Sequence, residues 1–346
     1  MNRKTFTGGL DRFRLAAALL VVAIHTSPLT CISAEADFLL TRILARVAVP
    51  FFLMVTGQFV LPRILEPGPG SGKRLWRYLT RTGVLYLACI LLYLPLGIYA
   101  GHYRELTPAK ILQLLVWDGP FYHLWYFPAC MLGMVLLWLL SRCLRVRAMA
   151  TVCGVLYLLG LCGDSYYGLT AFLPPLRSLC DLGFQVWSHT RNGLFLAPLF
   201  LLMGAHMENI HSQDSRPQAH FQGKFLAAGL GLSLLGMSGE AFLLRGLEFQ
   251  RHDSMYLLLV PVMYCLYGLL MCLELPTIPR LRHISTLVYV LHPAIIVAVR
   301  ICARIPRLQF LIDQSLVHYL TVSLLSLAAA WLLTSLPKAE SHTFFI

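Results

Sequence analysis

The chain has 346 residues, 58% of them hydrophobic and only 13% charged, with a mean hydropathy of +0.68. Soluble domains carry about 25% charged residues, so water is not the solvent for most of this surface, and a soluble globular, disordered, collagen-like or disulfide-stapled secreted protein is excluded. The net charge of +12 is explained by basic loops beside an anionic leaflet, and no basic groove with interleaved aromatics points to nucleic acid.

Ten solid apolar stretches follow one another near residues 11–30, 38–61, 79–100, 124–141, 148–163, 192–207, 224–244, 255–274, 284–301 and 316–336. Most reach the ~20 residues that cross a ~30 Å hydrocarbon core as helix; the fifth and sixth are short. Transmembrane barrels need alternating strands of about ten residues instead. The expected fold class is all-α, a polytopic integral membrane protein with about ten transmembrane helices, forming one domain over residues 1–346. The first stretch is no secretory signal, because it is long, holds His25 and lacks a small-residue cleavage site. With the N-terminus inside, inner loops hold 17 of the 28 Lys and Arg and outer loops 9, with Arg42 and Arg46 inside the second span. The positive-inside rule then predicts both termini in the cytoplasm and the protein in the plasma membrane.

Ionisable side chains inside a span are costly and mark interior sites. In the first span, LDRFRLAAALLVVAIHTSP, Arg14 and His25 are eleven positions apart, about three turns, so both project from one face with ~16 Å between them along the axis. VPFFLMVTG in the second span combines Pro50, Thr56 and Gly57, a kink with small residues that permits close helix approach. GKRLWRYLTR precedes the third span, and its Lys73, Arg74 and Arg77 satisfy the positive-inside rule or form a polyphosphate clamp. FYHLWYF, before the fourth, reads as an interfacial aromatic belt. SHTRNGLF brings His189, Arg191 and Asn192 to the sixth span, Glu240 lies late in the seventh, and RHDSMY opens the eighth. In the ninth, ISTLVYVLHPAII sets Ser285, Tyr289 and His292 on one face, and Pro293 frees the Tyr289 carbonyl from its helical bond. Ten scattered cysteines show no metal spacing and read as buried thiols; whether Cys31 and Cys180 pair stays open. His206, His211 and His220 read as a solvated inner loop rather than a metal site.

Together LDRFRLAAALLVVAIH, VPFFLMVTG, KRLWR, RNGLF and STLVYVLHP resemble, in order and over nearly the whole chain, the acyltransferase-3 family of integral membrane acyltransferases. Within it, RHDSMY, RNGLF and the L-x-HP ending look most like the membrane half of the vancomycin-resistance serine racemases. Those proteins carry a racemase domain after the membrane part, and the 346 residues end before one, so pyridoxal-phosphate racemase activity is not expected. The resemblance implies transfer of an acyl group, often acetyl, from cytoplasmic acyl-CoA to a hydroxyl of an extracytoplasmic glycan or cell-envelope acceptor, with the bilayer as the other partner. No bound cofactor and no metal are expected; acyl-CoA enters as co-substrate. The RxxR element occurs at Arg74/Arg77 and at Arg142/Arg145, and the role is carried to the first.

Acyl transfer needs a base, help for the developing oxyanion and a grip on the donor. Histidine suits the first task near neutral pH. His25 is therefore expected as general base or transient acyl carrier, with Arg14 steering the donor arm and Lys73, Arg74 and Arg77 holding its phosphates. Ser285, Tyr289 and His292 would line the cavity, and Arg191, Asn192 and Glu240 complete the cavity and acceptor set. The alternative is a transporter of a small polar solute such as serine, using the same His, Arg and Glu240 as a proton relay; the absence of a recognisable inverted repeat counts against it.

Overall fold

The computed structural model describes residues 7–68, 70–101, 103, 106–213 and 216–336, with side chains left out over 208–221. Arg3, Lys4, Arg104 and Lys338, counted in the loop charge, lie outside the described residues, as do the side chains of His211, Arg216 and His220.

Every described element is helical, and a helix lies over most of each of the ten apolar stretches. They run over Gly8–Thr26, Ala34–Leu65, Ser71–Tyr99, Tyr126–Cys143, Val146–Cys162, Ala197–Gln213, Arg216–Gly246, Leu259–Cys272, Pro279–Cys302 and Ser315–Ser335, and are numbered first to tenth below. Six are long and apolar enough to cross a membrane: the second, third, fourth, seventh (over Gln222–Gly246), ninth and tenth. The fifth, the apolar part of the sixth (Ala197–Met207) and the eighth are shorter. The first has Asp11, Arg12 and Arg14 in its opening turns. The second is interrupted by a π-turn at Leu39–Ile43 and a 3-10 turn at Leu44–Val47. These fall just before Pro50, whose ring lacks an N–H and crowds the carbonyl four residues back.

The contacts divide the chain into two compact units, one of Met1–Phe52, Asp214–Ser238 and Pro261–Ile346, the other of Leu53–Gln213 and Gly239–Val260. In the first unit, Ala18 and Val22 of the first helix pack against Ile284, Val288, Ile296 and Val299 of the ninth and Val322 and Ala330 of the tenth. The start of the first helix is pinned separately. Gly8 and Gly9 sit so close to the carbonyls of Leu275 and Leu270 that a Cβ at either would overlap them. Asp11, 1% exposed, accepts from Arg282 Nε at 2.8 Å and from the Ile278 N–H at 3.0 Å. Arg282 also donates to Thr7 Oγ1 at 2.9 Å. Charge-assisted bonds of this kind contribute about 1.5–3 kcal/mol each, so the first and ninth helices are held in a set register at this end.

In the second unit, a Cβ on Gly57 would overlap the Leu201 carbonyl and one on Gly204 the Met54 carbonyl, so the second and sixth helices touch backbone to backbone. At the start of the third helix, buried Ser71 donates to the Ile64 carbonyl at 2.7 Å and accepts from Trp138 Nε1 at 2.8 Å and Arg142 Nη2 at 2.9 Å. The Arg142 guanidinium lies 4.6 Å from the Trp138 ring.

Candidate functional site

In the first unit the inward faces of the first and ninth helices meet at two imidazoles. The His25 and His292 rings stack with centroids 5.5 Å apart and planes inclined by 19°. His292 is fully buried and His25 half-buried. Ser285 (1% exposed) and Tyr289 (8%) are buried on the same face of the ninth helix. Arg14 is buried on the first helix, ~16 Å below His25 by helical rise.

Pro293 explains how His292 is held. It contributes no N–H to the helix, so the carbonyl of Tyr289 loses its usual donor. His292 Nδ1 lies 2.8 Å from that carbonyl and 3.1 Å from that of Val288. Two acceptors at Nδ1 require the proton there, which makes Nε2 the lone-pair nitrogen of the neutral ring. The Tyr289 ring is 6.2 Å from His292 and 6.3 Å from Phe52. An imidazole of fixed tautomer stacked on a second imidazole, with a buried cation on the same helix as the second, is equipped to take and return a proton beside an anionic group.

A second polar cluster lies in the second unit, where three sequence motifs meet and a residue that belongs to none of them, Asp164, holds one of the three. Asp164 follows the fifth helix and is fully buried. Its Oδ1 accepts from the N–H groups of Ser254 (2.7 Å) and Met255 (2.9 Å), and its carbonyl from that of Arg251 (3.1 Å). Arg191 Nη1 donates to Ser254 Oγ at 3.1 Å, and its guanidinium lies 5.2 Å from the Trp125 ring. The rings of His189 and His252 are 4.2 Å apart. SHTRNGLF, RHDSMY and FYHLWYF thus meet in one place. Burial is the main cause that lifts the Asp164 carboxyl to about 6, against the pull of the Met255 and Ser254 N–H groups and of Arg191. Burial, followed by the charge of Arg191, lowers His189 to about 3 and also lowers His252.

Asn192 and Glu240 have structural bonds here. Asn192 Oδ1 accepts from the N–H groups of Leu194 (2.9 Å) and Phe195 (3.2 Å), and its Nδ2 donates to the His189 carbonyl at 3.0 Å. Glu240 accepts from Tyr166 Oη at 2.8 Å and from the N–H groups of Leu257 (2.5 Å) and Leu258 (2.9 Å), ahead of the eighth helix. A Gly-Asp-Ser turn after an apolar helix, as at Asp164, carries no signal beyond the turn itself, and sequence reasoning passed over it. Asp11 was legible only as an acid in a first helical turn, without its partner Arg282.

The basic segment before the third span is divided. Arg74 Nη2 donates to the Glu66 carbonyl at 2.7 Å and lies 3.7 Å from its carboxylate. Lys73 and Arg77 open onto a different side of the helix. All ten cysteines are free thiols: Cys31 lies against Ser315 and the Asp313 carbonyl, and Cys180 against the Cys162 carbonyl.

Six helices long and apolar enough to cross a bilayer, one of them carrying the fully buried His292, make this a multi-pass membrane protein with a polar interior. Comparison with known proteins gives the family: the acyltransferase domain of the acyltransferase-3 family matches residues 7–335, and the chain belongs to that family of membrane acyltransferases. It is 36% identical over 353 aligned positions to an amino-acid racemase of Enterococcus faecalis, covering 99% of this chain and 48% of that protein. A serine/alanine racemase of Enterococcus gallinarum is 33% identical over 322 positions, covering 92% of this chain and 45% of that protein. The chain thus spans about half the length of the curated relatives it matches. No solved structure matches it.

Proposed function

We propose that this protein is an O-acyltransferase that moves an acyl group, specifically acetyl, from cytoplasmic acyl-CoA to a hydroxyl of an extracytoplasmic glycan or other cell-envelope acceptor. The observation that carries this reading is the stacked pair of His25 and His292, whose second member has its tautomer set by the Tyr289 carbonyl. In the reaction His25 accepts the proton of the acceptor hydroxyl as its oxygen bonds to the thioester carbonyl carbon. The tetrahedral oxyanion collapses, the carbon–sulfur bond breaks, and the imidazolium returns the proton to the departing thiolate. A positioned base of this kind contributes roughly 10²–10⁴ in rate. His292 orients and polarises the pair, Ser285 and Tyr289 line its surroundings, and Arg14 draws the anionic donor arm toward it. Lys73, Arg74 and Arg77 have the donor-phosphate role, and Arg191, with Asn192 and Glu240, has the acceptor role.

The reading includes ten spans, both termini in the cytoplasm and residence in the plasma membrane. It is supported by a helix over most of each of the ten apolar stretches and by the excess of Lys and Arg in the inner loops.

Membranes containing the protein, supplied with radiolabelled acetyl-CoA, are expected to transfer label to the envelope fraction as an ester released by mild alkali. Uptake of labelled serine into proteoliposomes, with no dependence on CoA and no esterified label, would overturn the reading in favour of a transporter.

A further inference from the structure

Arg46 lies in the interior of the second helix and is only 8% exposed. It sits on the 3-10 turn Leu44–Val47, directly after the π-turn Leu39–Ile43. Pro50 provides no N–H for the carbonyl four residues back, which is that of Arg46. Irregular backbone at membrane depth is tolerated where protein encloses it or where it lines a polar cavity. A guanidinium buried in such a turn is a costly group that faces the bundle interior.

Two ties to the first helix fix its level. The Phe13 and Phe51 rings meet with centroids 4.8 Å apart, and beyond the far end of the first helix the Leu29 N–H donates to Asp37 Oδ1 at 2.9 Å. The two helices therefore run antiparallel, and the turn that carries Arg46 packs against the first. Counted from the Phe13–Phe51 level toward Leu29, Arg14 stands ~1.5 Å along, Arg46 ~7.5 Å and His25 ~18 Å. Arg46 is thus the intermediate step between the other two. Side chains lean toward the N-terminus of their own helix. In an antiparallel pair that sends Arg46 toward the level of His25 and His25 back toward Arg46, whereas Arg14 leans away from both. One long side chain of this kind covers most of the remaining ~10 Å. The second helix also reaches the ninth, where the Phe52 and Tyr289 rings are 6.3 Å apart.

The acyl transfer proposed above has a base and a grip on the donor, and it still requires a group for the oxyanion. We infer that Arg46 is that group, an inference that rests on the acyltransferase reading and on His25 as the base. As the acceptor oxygen bonds to the thioester carbon, the carbonyl electron pair moves onto its oxygen, and the Arg46 guanidinium donates hydrogen bonds to the resulting oxyanion. The pair returns when the carbon–sulfur bond breaks, while the proton passes from the hydroxyl through His25 to the thiolate. A preorganised donor of this kind acts on the transition state more than on the bound substrate.

The test compares initial rates of label transfer from radiolabelled acetyl-CoA to isolated envelopes, with acetyl-CoA varied and rates normalised to inserted protein. Arg46→Gln is expected to lower kcat by about a hundredfold or more while the KM for acetyl-CoA stays within about twofold. Arg14→Gln, on the donor arm, should instead raise KM. Arg46→Lys keeps the charge and loses the planar fork, and should lose at least about tenfold in kcat at unchanged KM; it is read in place of Arg46→Gln if the latter fails to insert. A wild-type kcat in the inserted Arg46 variant, or a raised KM at unchanged kcat, would overturn the assignment. In both cases inactivity of His25→Ala leaves the acyltransferase reading standing, whereas wild-type transfer by His25→Ala removes that reading and this inference together.

Discussion

At the scale of single residues, Pro293 decides what His292 can do. By withholding an N–H from the Tyr289 carbonyl it leaves an acceptor that His292 Nδ1 meets at 2.8 Å, and the lone pair is thereby assigned to Nε2. Pro293→Ala supplies the missing donor and puts it in competition with the imidazole. Acyl transfer should fall about tenfold, equivalent to ~1.4 kcal/mol, and the pH–rate profile should shift, with the amount of inserted protein unchanged. A proline with only a structural role would change protein yield and leave the profile where it was. His189 and His252 make a different residue-scale prediction. Their folded values lie below the ordinary 6.5, His189 at about 3, through burial and then the charge of Arg191. The unfolded chain therefore binds more protons, and the stability these two rings contribute is complete above pH 6.5 and lost as pH falls toward 3. Asp164, raised to about 6, acts in the opposite sense and loses its contribution as pH rises through 6. With two groups against one, the melting midpoint in detergent should fall by several degrees from pH 7 to pH 5. The double variant His189→Gln, His252→Gln should flatten that slope.

At the scale of elements, the second and sixth helices approach at Gly57 and Gly204, each against the other's backbone. Gly204→Ala should destabilise by about 1–3 kcal/mol or more through overpacking. Gly231→Ala, where nothing lies within reach of a new Cβ, should be neutral or stabilise by ~0.5–1 kcal/mol, as alanine does in a helix interior. Thermal midpoints of the two purified variants check both. The helices themselves were legible from hydropathy because burial in lipid is a local property of a run of side chains. So was the shared face of Ser285, Tyr289 and His292, since helical period fixes azimuth within one element. Partnership between elements was not legible in this way. Nothing in the sequence around Asp11 names Arg282, and nothing around Asp164 names Ser254 and Met255, because those bonds depend on how loops and helices are packed. The basic segment shows the same limit: a row of positive residues gives no sign that Arg74 turns to Glu66 while Lys73 and Arg77 face outward.

At the scale of the whole molecule, the chain belongs to the acyltransferase-3 family over residues 7–335 and has six helices long and apolar enough to cross a membrane, and the proposed function gives the interior imidazole pair a chemical purpose. A satisfied interior histidine needs one hydrogen bond. Here one histidine of fixed tautomer is stacked on another from a different helix, and the two helices are pinned at their far end by Asp11 and Arg282. The proposed reaction has His25 as its base, and the role is measured as the initial rate of label transfer from radiolabelled acetyl-CoA to isolated envelopes, normalised to inserted protein. The rate for His25→Ala should be lower than the wild-type rate by about a hundredfold or more. Transfer by His25→Ala at the wild-type rate would contradict the account.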